Sequence, residues 1–235
     1  MKTFAIGDIH GGYEALLQCL KRSKFNYKTE KLIVLGDVCD GWTETKKCID
    51  ELMRIKNLIY IIGNHDLWAL DWMKNKRAPD IWVKQGGFNT MLSYNNNSKN
   101  VPESHINLLE NARPFYIDCK NRVFVHGGFT WGFPIEKQSL QYLVWDRELF
   151  YEARRGHLQE NVKNPKLTQY KEVYIGHTST RTFGKTKPLT YCEITNLDTG
   201  GGWGGKLTIM DIETKEYWQS DLVYELYPDV KGRGQ

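Results

Sequence analysis

Five times along this chain an apolar, strand-forming run passes into glycine and a side chain able to bind a metal ion, or into such a side chain followed by glycine. The segments are Ala5-Ile6-Gly7-Asp8-Ile9-His10-Gly11, Val34-Leu35-Gly36-Asp37, Ile61-Ile62-Gly63-Asn64-His65-Asp66, Phe124-Val125-His126-Gly127-Gly128 and Tyr174-Ile175-Gly176-His177-Thr178. Any one alone reads as an ordinary turn. Together they constrain the fold strongly, because an open α/β sheet gathers ligands at the carboxyl ends of its strands, where residues distant in sequence meet. Only two of the six histidines, His105 and His157, lie outside these segments, and both read as surface residues.

The pattern around the segments agrees with β-α-β units. Thr3 to Ile6, Lys31 to Leu35 and Leu58 to Ile62 read as strands. Gly12 to Ser23 reads as a helix on the spacing of Tyr13, Leu16, Leu17 and Leu20, and Thr43 to Lys56 as another with Thr43 as its N-cap. Trp68, Trp72 and Trp82 fall in a helical stretch that covers one side of the sheet. Phe115 to Ile117 and Arg122 to Val125 predict a hairpin. Trp131 to Tyr170 shows no strand pattern and reads as an insertion able to form a lid. The last third is β-rich, with strands expected at Glu172 to Ile175, Tyr191 to Thr195, Lys206 to Asp211 and Glu216 to Gln219.

A length of 235 residues, 40% of them apolar, suits a single domain over residues 1–235. The net charge of +4 suits an anionic substrate without singling out nucleic acid. Five scattered cysteines, Cys19, Cys39, Cys48, Cys119 and Cys192, offer no metal or redox spacing and read as reduced, buried thiols. With neither a leader-like apolar run nor the roughly 20 apolar residues of a membrane span, a cytoplasmic protein is expected.

Three histidines, two or more carboxylates and one carboxamide make a nitrogen and oxygen ligand set without thiolate, too large for one tetrahedral zinc and natural for two ions sharing a carboxylate. In their order, Gly7-Asp8-Ile9-His10-Gly11, Gly36-Asp37 with Asp40, Gly63-Asn64-His65-Asp66, His126-Gly127-Gly128 and Gly176-His177-Thr178 resemble the calcineurin-like metallophosphoesterases. The resemblance is greatest to the small bacterial and phage Ser/Thr protein phosphatases and the diadenosine tetraphosphatases. It runs from Gly7 to about Leu207 and includes Asn196 to Gly200 and Gly204 to Leu207.

The resemblance implies an α/β fold of four layers, two mixed β-sheets flanked by helices. It also implies two divalent ions, manganese first and iron, zinc or nickel as alternatives. Asp8 and His10 would hold one ion, Asp37 would bridge, and Asn64, His126 and His177 would hold the second. A metal-bridged hydroxide would attack phosphorus, His65 would protonate the leaving group, and Asp40 would hold His65 and favour its protonated form.

Two departures bear on substrate. Gly41 stands where the family usually has a phosphate-binding arginine, and Ile62 precedes Gly63 where protein phosphatases usually have another, with Asp66 in place of glutamate. Arg147, in Trp145-Asp146-Arg147-Glu148, is the first candidate for the vacancy, with Asn64 beside it as a substrate-binding residue; Arg181 is the second. The expected activity is hydrolysis of phosphate monoesters, as a Ser/Thr protein phosphatase acting on phosphoproteins or as an enzyme for small phosphate esters. A dinucleoside tetraphosphatase or capped-nucleotide hydrolase on the same site is the alternative, and a non-catalytic binding module on this fold is the alternative of another class. No membrane partner is expected, and no nucleic acid beyond a nucleotide substrate. Trp42, Trp131 and Trp203 lie beside the motifs, where a tryptophan either packs or stacks on a base.

Overall fold

The computed structural model describes residues 1–158 and 166–233. Its strands in chain order are β1 Thr3–Ile6, β2 Lys31–Val34, β3 Asn57–Tyr60, β4 Phe115–Ile117, β5 Arg122–Val125, β6 Glu172–Ile175, β7 Leu189–Tyr191, β8 Ile194–Asn196, β9 Thr208–Asp211 and β10 Tyr217–Gln219. They form two five-stranded sheets, ordered β10-β9-β1-β2-β3 and β4-β5-β6-β8-β7. Each sheet is mixed. β1, β2 and β3 run parallel in one, and β5, β6 and β8 in the other. Antiparallel strands complete one edge of the first sheet, β9 and β10, and both edges of the second, β4 and β7.

The alternation of side chains along a strand builds the layers. Phe4 and Ile6 of β1, like Leu32 and Val34 of β2, face a core shared with helices α1 (Tyr13–Arg22), α2 (Thr45–Met53) and α3 (Asn64–Asn75). Val123 and Val125, with Val173 and Ile175, face a second core closed by Leu143, Phe150 and Ala153 of the helices Leu140–Trp145 and Glu148–His157. The intervening residues, Ala5, Ile33, Phe124 and Tyr174, meet between the sheets, where the rings of Phe124 and Tyr174 stack 5.0 Å apart. Helices, sheet, sheet, helices is the four-layer order expected. Strands buried on both faces explain why the sequence shows continuous apolar runs instead of alternation.

Several elements differ from expectation. α2 begins at Thr45 after Glu44, with no side-chain cap, so Thr43 is not its N-cap. Tyr191 to Thr195 is not one strand, because Cys192 takes φ of 52° and turns β7 back on β8. The lid candidate holds the two helices just named, which pack on the second sheet; residues 159–165 lie outside the described part. His105 is buried between Tyr94 and Asp50, whereas His157 is exposed as expected. All five cysteines are free, but Cys119 is exposed and Cys192 half-buried. Trp42 is buried, stacks on Tyr227 and donates to the Gly201 carbonyl, so its role is packing.

Candidate active site

The five motif segments follow β1, β2, β3, β5 and β6, all parallel strands, and their carboxyl ends converge at the seam between the sheets. Asp8, His10 and Asp37 offer ligand atoms within 4.8 Å of one another, and so do Asp37, His126 and His177. Asp37 belongs to both groups. Its Oδ2 lies 3.6 Å from His10 Nε2 and 3.3 Å from His126 Nε2, while Asn64 Oδ1 lies 3.0 Å from the same His126 nitrogen. All six side chains are buried.

Backbone groups orient the set. His10 Nδ1 donates to the Cys39 carbonyl at 2.9 Å, and His126 Nδ1 donates to the Leu35 carbonyl at 2.7 Å, so the Nε2 of each faces the cluster and, once free of a proton, would offer its lone pair to a cation. The N–H of His177 donates to Asp8 and that of His65 to Asp37 Oδ1. The latter comes from the first turn of α3, whose positive end favours an anion. Asp66, where the resemblance has a longer acid, accepts the N–H groups of Gly63, Val38 and Cys39 and so ties the start of α3 to the Asp37 loop.

Two glycines are required by close approach. A Cβ on Gly63 would lie 2.1 Å from Asp37 Oδ1, and one on Gly176 would lie 2.1 Å from Asp8 Oδ1.

The cluster fits divalent cations. Asp37 Oδ2, His65 Nε2 and His177 Nε2 are buried and find no hydrogen-bond partner among the described residues. Such atoms are costly to bury unless something positive or protic meets them. The charges agree. Burial, with the nearby Asp198 carboxylate, pushes Asp8 well above the usual carboxylate range. Burial also opposes ionisation of Asp37, but His126 and its neighbours outweigh that and hold it well below. Burial lowers His126, yet the Asp37 carboxylate more than offsets it and raises this imidazole to about 9. Without metal, the cluster collects protons where cations would otherwise sit.

His65 stands beside this set with its Nε2 among the orphaned atoms and its Nδ1 2.6 Å from Asp40 Oδ2. Asp40 is fixed in turn by Trp82 Nε1 at 2.7 Å and by the Thr90 hydroxyl at 2.8 Å. The surroundings of His65 act against its protonated form. Burial dominates and, with the cations Arg233, His126 and Arg147 outweighing the pull of Asp37, lowers His65 to about 3. The resting imidazole is therefore neutral; burial also pushes Asp40 well above the usual carboxylate range, so Asp40 donates to Nδ1 and the imidazole carries its proton on Nε2.

Arg147 precedes the helix Glu148–His157 and reaches back to the cluster, where Nη1 donates to the His177 carbonyl at 3.1 Å. Arg181 does not reach it and donates to the Trp203 carbonyl. Sequence reasoning gave no role to two further residues. Asp198 follows β8 in the same strand-to-loop position as the motif residues and lies buried beside Asp8; its place after a strand was the available signal. Arg233, near the C-terminus, donates to His10 Nε2 at 3.2 Å, and no local pattern marks it.

A metal-competent cluster at the joined carboxyl edges of two mixed sheets fits the metallophosphoesterases, hydrolases built on an α/β fold. The family model for calcineurin-like phosphoesterases matches residues 1–199, and the chain belongs to that family. Serine/threonine-protein phosphatase 1 of Salmonella typhimurium is 23% identical, covering 90% of this chain and 92% of its own. A symmetrical bis(5'-nucleosyl)-tetraphosphatase of Neisseria meningitidis is 26% identical, covering 93% of this chain and 95% of its own. A crystal structure of a metallophosphoesterase from Sphaerobacter thermophilus, 15% identical, superposes with a TM-score of 0.59 over 97% of this chain and 95% of that one, a likeness of fold. Among the described residues no helix is long and apolar enough to cross a membrane.

Proposed function

We propose that this chain hydrolyses phosphate monoesters with two divalent ions and that its substrates are Ser/Thr phosphoproteins. The observation that carries the reading is Asp37, shared by two buried ligand groups and left with an unpartnered oxygen aimed between them. In this reading Asp8 and His10 hold one ion, Asn64, His126 and His177 hold the other, and Asp37 bridges. The donor set suits manganese, with iron, zinc and nickel also accepted. When bound, the ions supply charge for the phosphate oxygens and a water whose pKa falls from 15.7 to about 7, a nucleophile at neutral pH.

The protein's part is positioning and proton handling. His65, held at Nδ1 by Asp40, presents Nε2–H to the leaving oxygen and gives up that proton, while the proton of Asp40 passes to Nδ1. Asn64 and Arg147 orient the phosphate, the latter with the guanidinium donors that the His177 carbonyl does not occupy. A pocket of about 530 Å³ lined in part by Tyr142, Trp145 and Arg147 opens on the Arg147 side of the cluster, and exposed Tyr142, shared with a second hollow that Phe133 lines, gives this face an apolar surface suited to a peptide. The Salmonella relative supports the same substrate class. Five unpaired cysteines support a reducing, cytoplasmic setting.

The Neisseria relative, matched over nearly its whole length, favours dinucleoside tetraphosphate as a second reading. A panel of phosphopeptide, aryl phosphate and diadenosine tetraphosphate, assayed with manganese and after chelation, separates the two. Metal-dependent release of phosphate from the phosphopeptide is expected. Cleavage of the tetraphosphate without turnover of the phosphopeptide would replace the first reading by the second.

A further inference from the structure

The arginine that the family motif places at position 41 is absent, and the C-terminal segment fills the space beside Gly41. Backbone contacts lead it there: Asn89 Nδ2 donates to the Lys231 carbonyl at 3.3 Å, and the N–H of Arg233 donates to the Gly202 carbonyl at 2.9 Å. The Arg233 side chain then runs between three residues that have none. A Cβ would lie 3.3 Å from Arg233 Cγ if built on Gly41, 3.5 Å from it on Gly86, and 3.0 Å from Cδ on Gly202. The guanidinium lies over Trp203, 4.8 Å from the ring centroid, and Nη1 donates to His10 Nε2 at 3.2 Å. Gln85 Oε1 accepts from Nη2 at 3.4 Å, and Nε is buried without a partner.

We infer that Arg233 is a phosphate-binding residue of this active site, supplying from the C-terminal segment the guanidinium that position 41 lacks. The inference rests on the two-ion phosphoesterase reading and adds to it the side chain that receives the phosphate on the His10 side. Stacking on Trp203 fixes the plane of the fork without neutralising its charge. No carboxylate among the described residues pairs with it. With His10 Nε2 engaged as a ligand, Nη1 loses its present acceptor. Nη1 and the orphaned Nε are then both left for phosphate oxygens. Arg147 stands on the opposite side, against His177, so a phosphate over the cluster would lie between two guanidinium groups.

The test is titration calorimetry of inorganic phosphate into the manganese-loaded full chain, comparing wild type with Arg233→Ala and Arg233→Lys, with metal content measured for each. Loss of one charged hydrogen-bonding group should weaken phosphate binding roughly tenfold to a hundredfold in the alanine variant at unchanged metal content. Lysine should recover only part, because it brings the charge without the fork. The KM for an aryl phosphate should rise alongside. Wild-type phosphate affinity in Arg233→Ala would overturn the inference, and so would faster turnover at unchanged affinity, which would make the segment a cover over the site. The probe is phosphate itself, so the result does not depend on which ester is natural. Failure of the two-ion reading would show separately, as wild-type protein that binds fewer than two metal ions.

Discussion

His10, Asp37, Asp40 and His177 adopt φ of 49°, 50°, 71° and 63°, in the left-handed region that side chains other than glycine seldom occupy. Each such residue costs on the order of 1–3 kcal/mol. Glycine would remove that strain but also the imidazole or carboxylate that the position presents to the cluster. The same scale decides what His65 does. Its Nε2 has no partner among the described residues and its Nδ1 is fixed by Asp40, so His65→Asn should retain metal and lower the turnover number. The loss should be largest for esters with basic leaving groups, which most need a proton. Equal losses across an aryl and alkyl phosphate series would remove His65 from the role of acid. Among the described residues the Arg147 side chain hydrogen-bonds to the His177 carbonyl and the Thr178 hydroxyl, so Arg147→Ala should leave metal content and melting temperature nearly unchanged. It should lower kcat/KM by about tenfold to a hundredfold, the worth of a charged hydrogen bond of roughly 1.5–3 kcal/mol. Wild-type kinetics would return Arg147 to a purely surface role.

Among the elements, the helix Glu103–Glu110 is tied to the first core by His105, which accepts from the Tyr94 hydroxyl at Nδ1 and donates from Nε2 to Asp50. Burial lowers its pKa, so the unfolded chain binds the proton more readily than the folded one. The stabilisation it gives is complete above the unfolded value near 6.5 and is lost as pH falls through that value toward the folded one. His105→Gln should lower the melting temperature at pH 8 and flatten its decline between pH 7 and 5; an unchanged pH slope would contradict this role. A lone histidine in Glu103-Ser104-His105 looks solvent-facing because its partners come from elsewhere in the fold. The parallel strands were legible for the opposite reason: an apolar run ending in glycine is a local signal. Where the signal stopped being local, boundaries slipped. Ile61 and Ile62 extend the run of β3 in sequence, but the strand closes at Tyr60, and Ile61 bridges to Arg113 while its N–H still donates to the Val34 carbonyl. The β7–β8 turn carries Cys192 where glycine or asparagine would have marked it. Six ligand-type residues could be named from strand ends, whereas Trp82 and Thr90, which hold Asp40, and Arg233, 223 residues from His10, are brought in by tertiary packing alone.

For the whole molecule, the site belongs to neither sheet. Asp8, Asp37 and Asn64 come from one, His126 and His177 from the other, and the bonds from His126 to the Leu35 carbonyl and from His177 to Asp8 cross the seam. The inter-sheet layer of Ala5, Ile33, Leu35, Phe124, Tyr174 and Leu197 therefore sets the spacing of the two ligand groups around Asp37. That sharing is the central claim, and metal stoichiometry tests it most directly. Full-length wild type and Asp37→Ala, stripped by chelator and reloaded with manganese, would be compared by elemental analysis and by turnover of an aryl phosphate. Two ions per wild-type chain, fewer than one in the variant, and activity that disappears with the metal and returns with it only in wild type are predicted. Two ions and undiminished turnover in Asp37→Ala, or full wild-type activity after exhaustive chelation, would contradict the account.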